Sequence, residues 1–168
     1  MKRASDVLMH VSSLYEEYSI GSFGKEARSF IDFLAKSGFS YWQVLPFCMA
    51  DECNSPYKSY SAFGGNPLFI DLPTLYERGW LTADELAATK QKSPYLCEYD
   101  RLGRERIALL KRAAARVGEA EKAKISDFIA HQKDLADAAA FLALREKNNG
   151  VLWHDWKEHT PDADELFF

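Results

Sequence analysis

The chain of 168 residues is 47% hydrophobic, 14% aromatic and 27% charged, a balance that supports a packed domain and argues against disorder. A formal net charge of −4 argues against nucleic acid as a partner, because phosphate binding normally leaves a basic excess. No apolar run approaches the roughly 20 residues of a membrane span, Val7–Val11 is too short for a signal peptide, and Cys48, Cys53 and Cys97 leave one thiol unpaired, so the expectation is a cytoplasmic protein.

In chain order, residues 6–11 form a short apolar run between polar neighbours and read as a buried strand, followed by a turn-rich loop to Gly24. Ala27, Phe30, Ile31 and Leu34 recur at helical spacing, with Ser22 as expected N-cap and Gly38 as stop. Tyr41, Trp42, Val44 and Leu45 then make a second strand ended by Pro46. Strand, helix, strand is a βαβ unit, which requires parallel strands and a right-handed crossover. Residues 48–73 show no period, and a loop of that length inside a compact domain is usually functional. From Thr74 the pattern turns helical. Thr82-Ala-Asp-Glu85 has the form of a capping box, and Ile107, Leu110, Ala114 and Val117 form a stripe that stops at Gly118. One long helix is expected from about Glu119 to Lys147, with Ile125, Phe128, Ile129, Leu135, Ala139 and Leu142 facing inward and Asn148-Asn149-Gly150 as its stop. The tail, with Trp153, Trp156, Phe167 and Phe168, is too aromatic for a simple disordered end. Two parallel strands alone do not make a stable sheet, so the chain is expected to be incomplete.

Ser55-Pro-Tyr-Lys-Ser-Tyr-Ser-Ala-Phe-Gly-Gly-Asn-Pro67 resembles a signature of the amylomaltase, or disproportionating-enzyme, family of 4-α-glucanotransferases. It follows Tyr41-Trp-Gln-Val-Leu-Pro46 at that family's spacing, and His10-Val-Ser-Ser-Leu14, Ile20-Gly-Ser-Phe-Gly24 and Asn66-Pro-Leu-Phe-Ile-Asp-Leu72 fit as well. The match covers the family's N-terminal part. It implies an α/β fold: the first βαβ unit of a (β/α)8 TIM barrel over residues 1–73, followed by a mostly helical inserted subdomain over 74–168. The implied activity is transfer of α-1,4-glucan segments between maltooligosaccharides by retaining double displacement, with no metal or organic cofactor. Such chemistry needs two carboxylates about 5–5.5 Å apart. The family motifs that carry them are not found in this sequence, so no catalytic residue is assigned and the chain alone is expected to be inactive. The expected partners are maltooligosaccharides or α-1,4-glucan and the remaining barrel segment of the same enzyme. The alternative is a degenerate non-catalytic maltooligosaccharide-binding or helical interaction protein.

By the motif match, Ser55 and Tyr57 stand where the family lines its glucan groove, and Ser61, Phe63 and Asn66 shape the loop or touch substrate. A Tyr ring offers a flat apolar face to sugar C–H groups while its hydroxyl can hydrogen-bond. The sequence departs from the family at Asp6, Ser19 and the 48–54 turn, where a Gly is usual, and at Tyr15, where a Pro is usual; Glu52 and Asn54 replace a Tyr and an Asp. These changes bear on an outer sugar contact and leave Ser55-Pro-Tyr57 intact. A metal cluster of His10, Asp51, Glu52 and Cys53 lacks ligand spacing, His154 and His159 miss the i, i+4 interval, and adjacent Asp51 and Glu52 cannot hold a controlled separation as an acid pair. The basic run Arg101–Arg112 reads as a solvated helix face.

Overall fold

The computed structural model of the chain describes residues 3–50 and 53–156; Asp51, Glu52, His159, Phe167 and Phe168 lie outside the described residues. Strands β1 (Asp6–Leu8) and β2 (Tyr41–Gln43) pair in parallel, with Asp6 beside Tyr41, Val7 beside Trp42 and Leu8 beside Gln43. Helix α1 (Lys25–Lys36) connects them, which is the expected βαβ unit. Both strands are shorter than the apolar runs that announced them. Val11 leaves the strand to begin a 3-10 turn over Val11–Ser13, where it is fully buried. The central residues of each strand, Val7 and Trp42, are half-buried, and the Trp42 ring meets Phe30 of α1 edge-on at 5.0 Å. Trp42 Nε1 donates to the Met9 carbonyl at 2.7 Å, which locks the end of β1 to β2. Leu8 and Tyr41 remain exposed.

Helix α1 starts at Lys25 with Gly24 as N-cap, not at Ser22. Ser22 is buried and its hydroxyl is committed elsewhere, lying 2.9 Å from Asp71 Oδ1 and 3.3 Å from Glu16 Oε2. Gly24 is there because a Cβ would sit 2.0 Å from Asp71 Oδ1; at Gly21 it would sit 2.0 Å from the Val11 carbonyl. The Ile20–Gly24 motif is therefore a close-approach device that brings segments 11–24 and 69–71 together. Gly38 ends the helix at φ +79, as its position predicts.

The helical part begins earlier than Thr74. A 3-10 turn covers Pro67–Phe69, and α2 (Leu72–Glu77) starts at Leu72 with Asp71 as N-cap and a Pro in its first turn. Helix α3 (Ala83–Ala88) carries both halves of the Thr82–Glu85 capping box. Arg112 and Arg116 of α4 (Tyr99–Ala115) and its C-cap reach Glu85 at 3.2 and 2.5 Å and hold its carboxyl down at about 2.

On α4 the buried stripe is Leu102, Arg106, Leu109 and Ala113, one position away from the apolar stripe read from sequence. Ile107 and Leu110 flank it half-buried, Ala114 is exposed, and Val117 just beyond the helix is buried. The expected long helix divides into α5 (Glu119–Ala130) and α6 (Lys133–Lys147), which pack on each other. No Gly or Pro marks the break at His131–Gln132, so tertiary packing sets it. Ile125, Phe128 and Ala139 are exposed, Ile129, Leu135 and Leu142 half-buried, and Ala138, Ala140 and Leu144 are the buried residues of α6.

Among the described residues, two apolar clusters hold the molecule. Val11, Leu14, Ile20, Ala27, Phe69 and Leu102 form the first, and Leu72, Leu81, Leu109 and Ala113 the second. Helix α4 contributes to both, so it ties the helical part to the βαβ unit. No helix of the described residues is long and apolar enough to cross a membrane.

Candidate functional site

The segment after β2 is not a free loop. Cys48 pairs with Gly65 and Ala50 with Ser59 as isolated antiparallel bridges, which turns residues 48–65 into a folded excursion. Ser59 and Ser61 serve the backbone. Ser59 Oγ donates to the Ser61 carbonyl at 2.7 Å, while Ser61 Oγ accepts from the Phe63 and Gly64 amides at 3.1 Å. Asn66 Oδ1 accepts from the Leu68 amide at 3.0 Å and caps the 3-10 turn. Ser61 and Asn66 thus each accept hydrogen bonds from amides a few residues on. Phe63 is exposed.

The excursion is fastened to α6 from the side. The Arg145 guanidinium lies 4.4 Å from the centre of the Tyr60 ring, and Tyr60 meets Phe141 at 6.3 Å. Between the excursion, the β1 end and α4 opens a cleft of about 470 Å3 whose wall includes His10, Asn54, Pro56, Tyr60, Asn66, Tyr99, Asp100 and Arg145. Ser55 and Tyr57 bracket Pro56 on this wall but stand outside the lining: Ser55 is half-buried and Tyr57 is 75% exposed. Tyr57 presents its ring to solvent beside the cleft, where a ligand face could cover it. Tyr60, Tyr99, Asp100 and Arg145 escaped the sequence reading. Tyr60 belongs to the loop itself, whereas Tyr99 and Asp100 arrive from α4 and Arg145 from α6, and no local motif ties those three to the loop.

His10 is packed between rings, stacked on Phe47 at 5.8 Å and edge-on to Phe69 at 5.3 Å. Burial lowers its pKa, which favours the neutral ring, and its Nδ1 is buried without a hydrogen-bond partner among the described residues. Asp100 is the sole carboxylate in the cleft wall among the described residues. The cleft wall therefore combines rings, amides and hydroxyls with apolar side chains such as Leu45, Met49 and Ile107, one acid, Asp100, and the Arg145 guanidinium.

Beneath it lies a buried polar network. Arg106, 3% exposed, donates to the Tyr18 carbonyl. Glu16, 4% exposed, accepts from the Glu17 amide at 3.0 Å. Burial first, then repulsion by Glu26 and Asp71, pushes the Glu16 carboxyl up to about 7, while burial brings the Arg106 guanidinium down to about 10. Ser19, at a position where a Gly was expected, adopts φ +80; its hydroxyl donates to the Thr89 carbonyl at 3.1 Å and accepts from Arg101. Asn54 also has positive φ, +54, which an Asn tolerates better than most residues. The basic run on α4 is thus only partly a solvated face, because Arg101 and Arg106 point into this network.

A family model described as 4-alpha-glucanotransferase matches residues 9–166. The chain belongs to the 4-alpha-glucanotransferase family. It is 40% identical over 166 residues to a 4-alpha-glucanotransferase of Streptococcus pneumoniae, covering 97% of this chain and 32% of that protein. To the enzyme of Clostridium butyricum it is 37% identical over 152 residues, 89% of this chain and 31% of the relative. Among solved structures, amylomaltase from Streptococcus agalactiae in complex with acarbose superposes with a TM-score of 0.88 at 34% identity, covering 94% of this chain and 32% of that one. Amylomaltase from Corynebacterium glutamicum shares the fold at a TM-score of 0.67 and 20% identity, covering 97% and 25%. The chain spans about a third of the length of the curated relatives it matches. Family membership agrees with the resemblance carried by the Ser55–Pro67 segment and its four companion motifs.

Proposed function

We propose that this chain is the glucan-holding segment of a 4-alpha-glucanotransferase. In this reading residues 1–73 are the first βαβ unit of a (β/α)8 barrel and residues 74–168 are a helical subdomain inserted after its second strand. The remaining barrel strands are its proposed partner and would cover the exposed Leu8 and Tyr41. Ser55 and Tyr57 contact the sugar near the cleavage point, and Ser61, Phe63 and Asn66 keep the loop in shape. The carboxylates that form and resolve the glycosyl-enzyme belong to those other strands, and the reaction needs no cofactor. Cys48, Cys53 and Cys97 form no disulfide among the described residues, which fits a reducing, cytoplasmic setting.

The observation that carries the reading is the cleft at the ends of two parallel strands, bordered by Ser55-Pro56-Tyr57, in a chain that superposes on an acarbose-bound relative. A second reading, a maltooligosaccharide-binding protein without turnover, is favoured by the presence of a single carboxylate in the described cleft wall. Incubating the chain with maltotriose, alone and together with the complementary segment of a family relative, separates them. No glucose or longer maltodextrin from the chain alone, and product once the segment is added, is the expected result. Turnover by the chain alone would contradict the assignment of the chemistry to other strands. Failure of the segment to restore transfer would favour the binding protein.

A further inference from the structure

Three polar side chains meet in a line beneath the first loop. Glu16 and Ser22 are 4% and 3% exposed, and the Ser22 hydroxyl lies 3.3 Å from Glu16 Oε2 and 2.9 Å from Asp71 Oδ1. A hydroxyl carries one hydrogen, so it cannot donate to both carboxyls. Asp71 has the stronger claim. Its Oδ2 accepts from the Thr74 amide at 2.9 Å and from the Thr74 hydroxyl at 2.5 Å at the start of α2, which is the bonding of a carboxylate anion. Ser22 therefore donates to Asp71 and turns a lone pair toward Glu16 Oε2. With Glu16 ionised, two acceptor oxygens would face each other at 3.3 Å in a place nearly closed to water. With a proton on Oε2, the same contact is a hydrogen bond from Glu16 to Ser22. Glu16 Oε1 meanwhile accepts from the Glu17 amide at 3.0 Å. One bond donated and one accepted are what a neutral carboxylic acid offers.

The charges around Glu16 favour the same state. Glu26 of α1 and Asp71 repel its anion, and Arg106 of α4, the cation that feels it, donates to the Tyr18 carbonyl. Burial first, then these two acids, pushes the Glu16 carboxyl up to about 7. Burial also pushes Tyr18, Cys97 and Tyr99 up from values that are already high, so these three stay neutral between pH 5 and 8. Glu17, next in sequence, is exposed and pairs with Lys90 at 2.7 Å.

The backbone of the same residue carries another segment. Residues 89–98 link α3 to α4 without helix or strand and lead into Tyr99, a wall residue of the cleft. They are fastened to residues 16 and 17. Gln91 Nε2 donates to the Glu16 carbonyl at 3.2 Å, the Gln91 amide to the Glu17 carbonyl at 3.1 Å, and the Glu16 amide to the Pro94 carbonyl at 3.4 Å. We infer that the Glu16 carboxyl is a proton-operated latch for this 89–98 strap. Protonated, it donates to Ser22 and fixes residues 16–17 as the anchor of the strap. Ionised, having lost its proton to solvent, it faces two acids, residues 16–17 shift, and the strap loosens. The closed state binds the proton more tightly than an open one with an ordinary carboxyl at 4.5. Closure is therefore strongest below about pH 4.5, weakens as pH rises to about 7 and levels off above it.

The test is amide hydrogen exchange of the 168-residue chain by NMR from pH 5 to 8, corrected for the intrinsic rate at each pH. The Glu16 side-chain carboxyl carbon is followed in the same samples. Glu16 should titrate near pH 7. Protection of the Glu16 and Gln91 amides should fall roughly fiftyfold over the range, while that of Leu109 and Ala113 in α4 stays higher at every pH. Glu16→Gln, whose amide NH2 donates to Ser22 in place of the acid proton, should keep the strap equally protected from pH 5 to 8. Asp71→Asn, which can still cap α2, should lower the Glu16 midpoint by about half a pH unit or more. Titration of Glu16 near 4.5 would overturn the latch. Strap protection that ignores pH, or that equals the protection of α4 throughout, would overturn it as well, since the latter reports only global unfolding. A Glu16→Gln chain with the wild-type fall would assign the response to another group and refute the inference. The wild-type data decide the matter even where a variant fails to fold.

Discussion

The loops that follow the two parallel strands occupy equivalent places and are built in opposite ways. After β1, residues 16–24 run over buried polar groups: Glu16, Ser19 and Ser22 are almost fully covered, and Arg101 and Arg106 of α4 reach in to meet them. After β2, residues 53–66 are shaped by their own serines and by Asn66, with Tyr57 and Phe63 left in water. The first loop is a foundation that a distant helix completes. The second is a presented surface, and little of the fold depends on its exposed rings. If the second loop holds the glucan as proposed, stability and binding are separated along the chain, and mutations should divide in the same way.

The largest effect is expected at Arg106→Ala. Removing a buried guanidinium leaves the Tyr18 carbonyl without its donor and Glu16 without a nearby positive charge. Urea denaturation should show a loss on the order of 3–5 kcal/mol. A loss below about 1 kcal/mol would mean the foundation does not need α4. Next is the pH dependence of stability. The folded Glu16 carboxyl titrates near 7, above its ordinary 4.5, so the folded state favours the protonated form. Stability is then highest below about pH 4.5 as far as this group is concerned, and it falls as pH rises toward 7, by about 3 kcal/mol at 1.36 kcal/mol per pKa unit. Glu16→Gln should flatten that slope between pH 4.5 and 7, and an unchanged slope would assign it to other groups.

A smaller effect separates strain from hydrogen bonding at Ser19. Ser19→Ala keeps the side-chain cost of φ +80 and loses both hydrogen bonds, whereas Ser19→Gly loses the bonds and relieves the strain. The Ala variant should be the less stable of the two by about 1 kcal/mol in thermal or urea unfolding. Equal stability would mean the backbone at this position has relaxed. Smallest of all is Tyr57→Ala, expected within about 0.5 kcal/mol of the wild type, because the ring is a surface group.

The βαβ unit was legible because its signals are local: two apolar runs, a helical stripe and Gly38. Strand ends were not, since Val11 is as apolar as a strand residue but turns into the core. The α4 stripe was misread by one position because a buried arginine looks polar in a sequence, and nothing nearby in the chain announces its acceptor, the carbonyl of Tyr18. The division of the last long helix at His131–Gln132 has no local signal either, as it depends on α5 and α6 folding onto each other. At the site, the Ser55–Pro67 segment could be recognised as a motif. Arg145, Tyr99 and Asp100 could not, because only the folded helices bring them to the cleft, about 40 to 90 residues from Tyr57 in sequence.

The most direct measurement is the binding of maltotriose to the wild-type chain and to Tyr57→Ala under identical conditions, by amide NMR titration. The wild type should show saturable shifts in residues 54–66 and around His10 and Tyr99, and Tyr57→Ala should lose most of that binding with its spectrum otherwise preserved. Saturable binding of equal strength in both proteins, or shifts confined to other regions, would contradict the assignment of the glucan-holding surface to this loop.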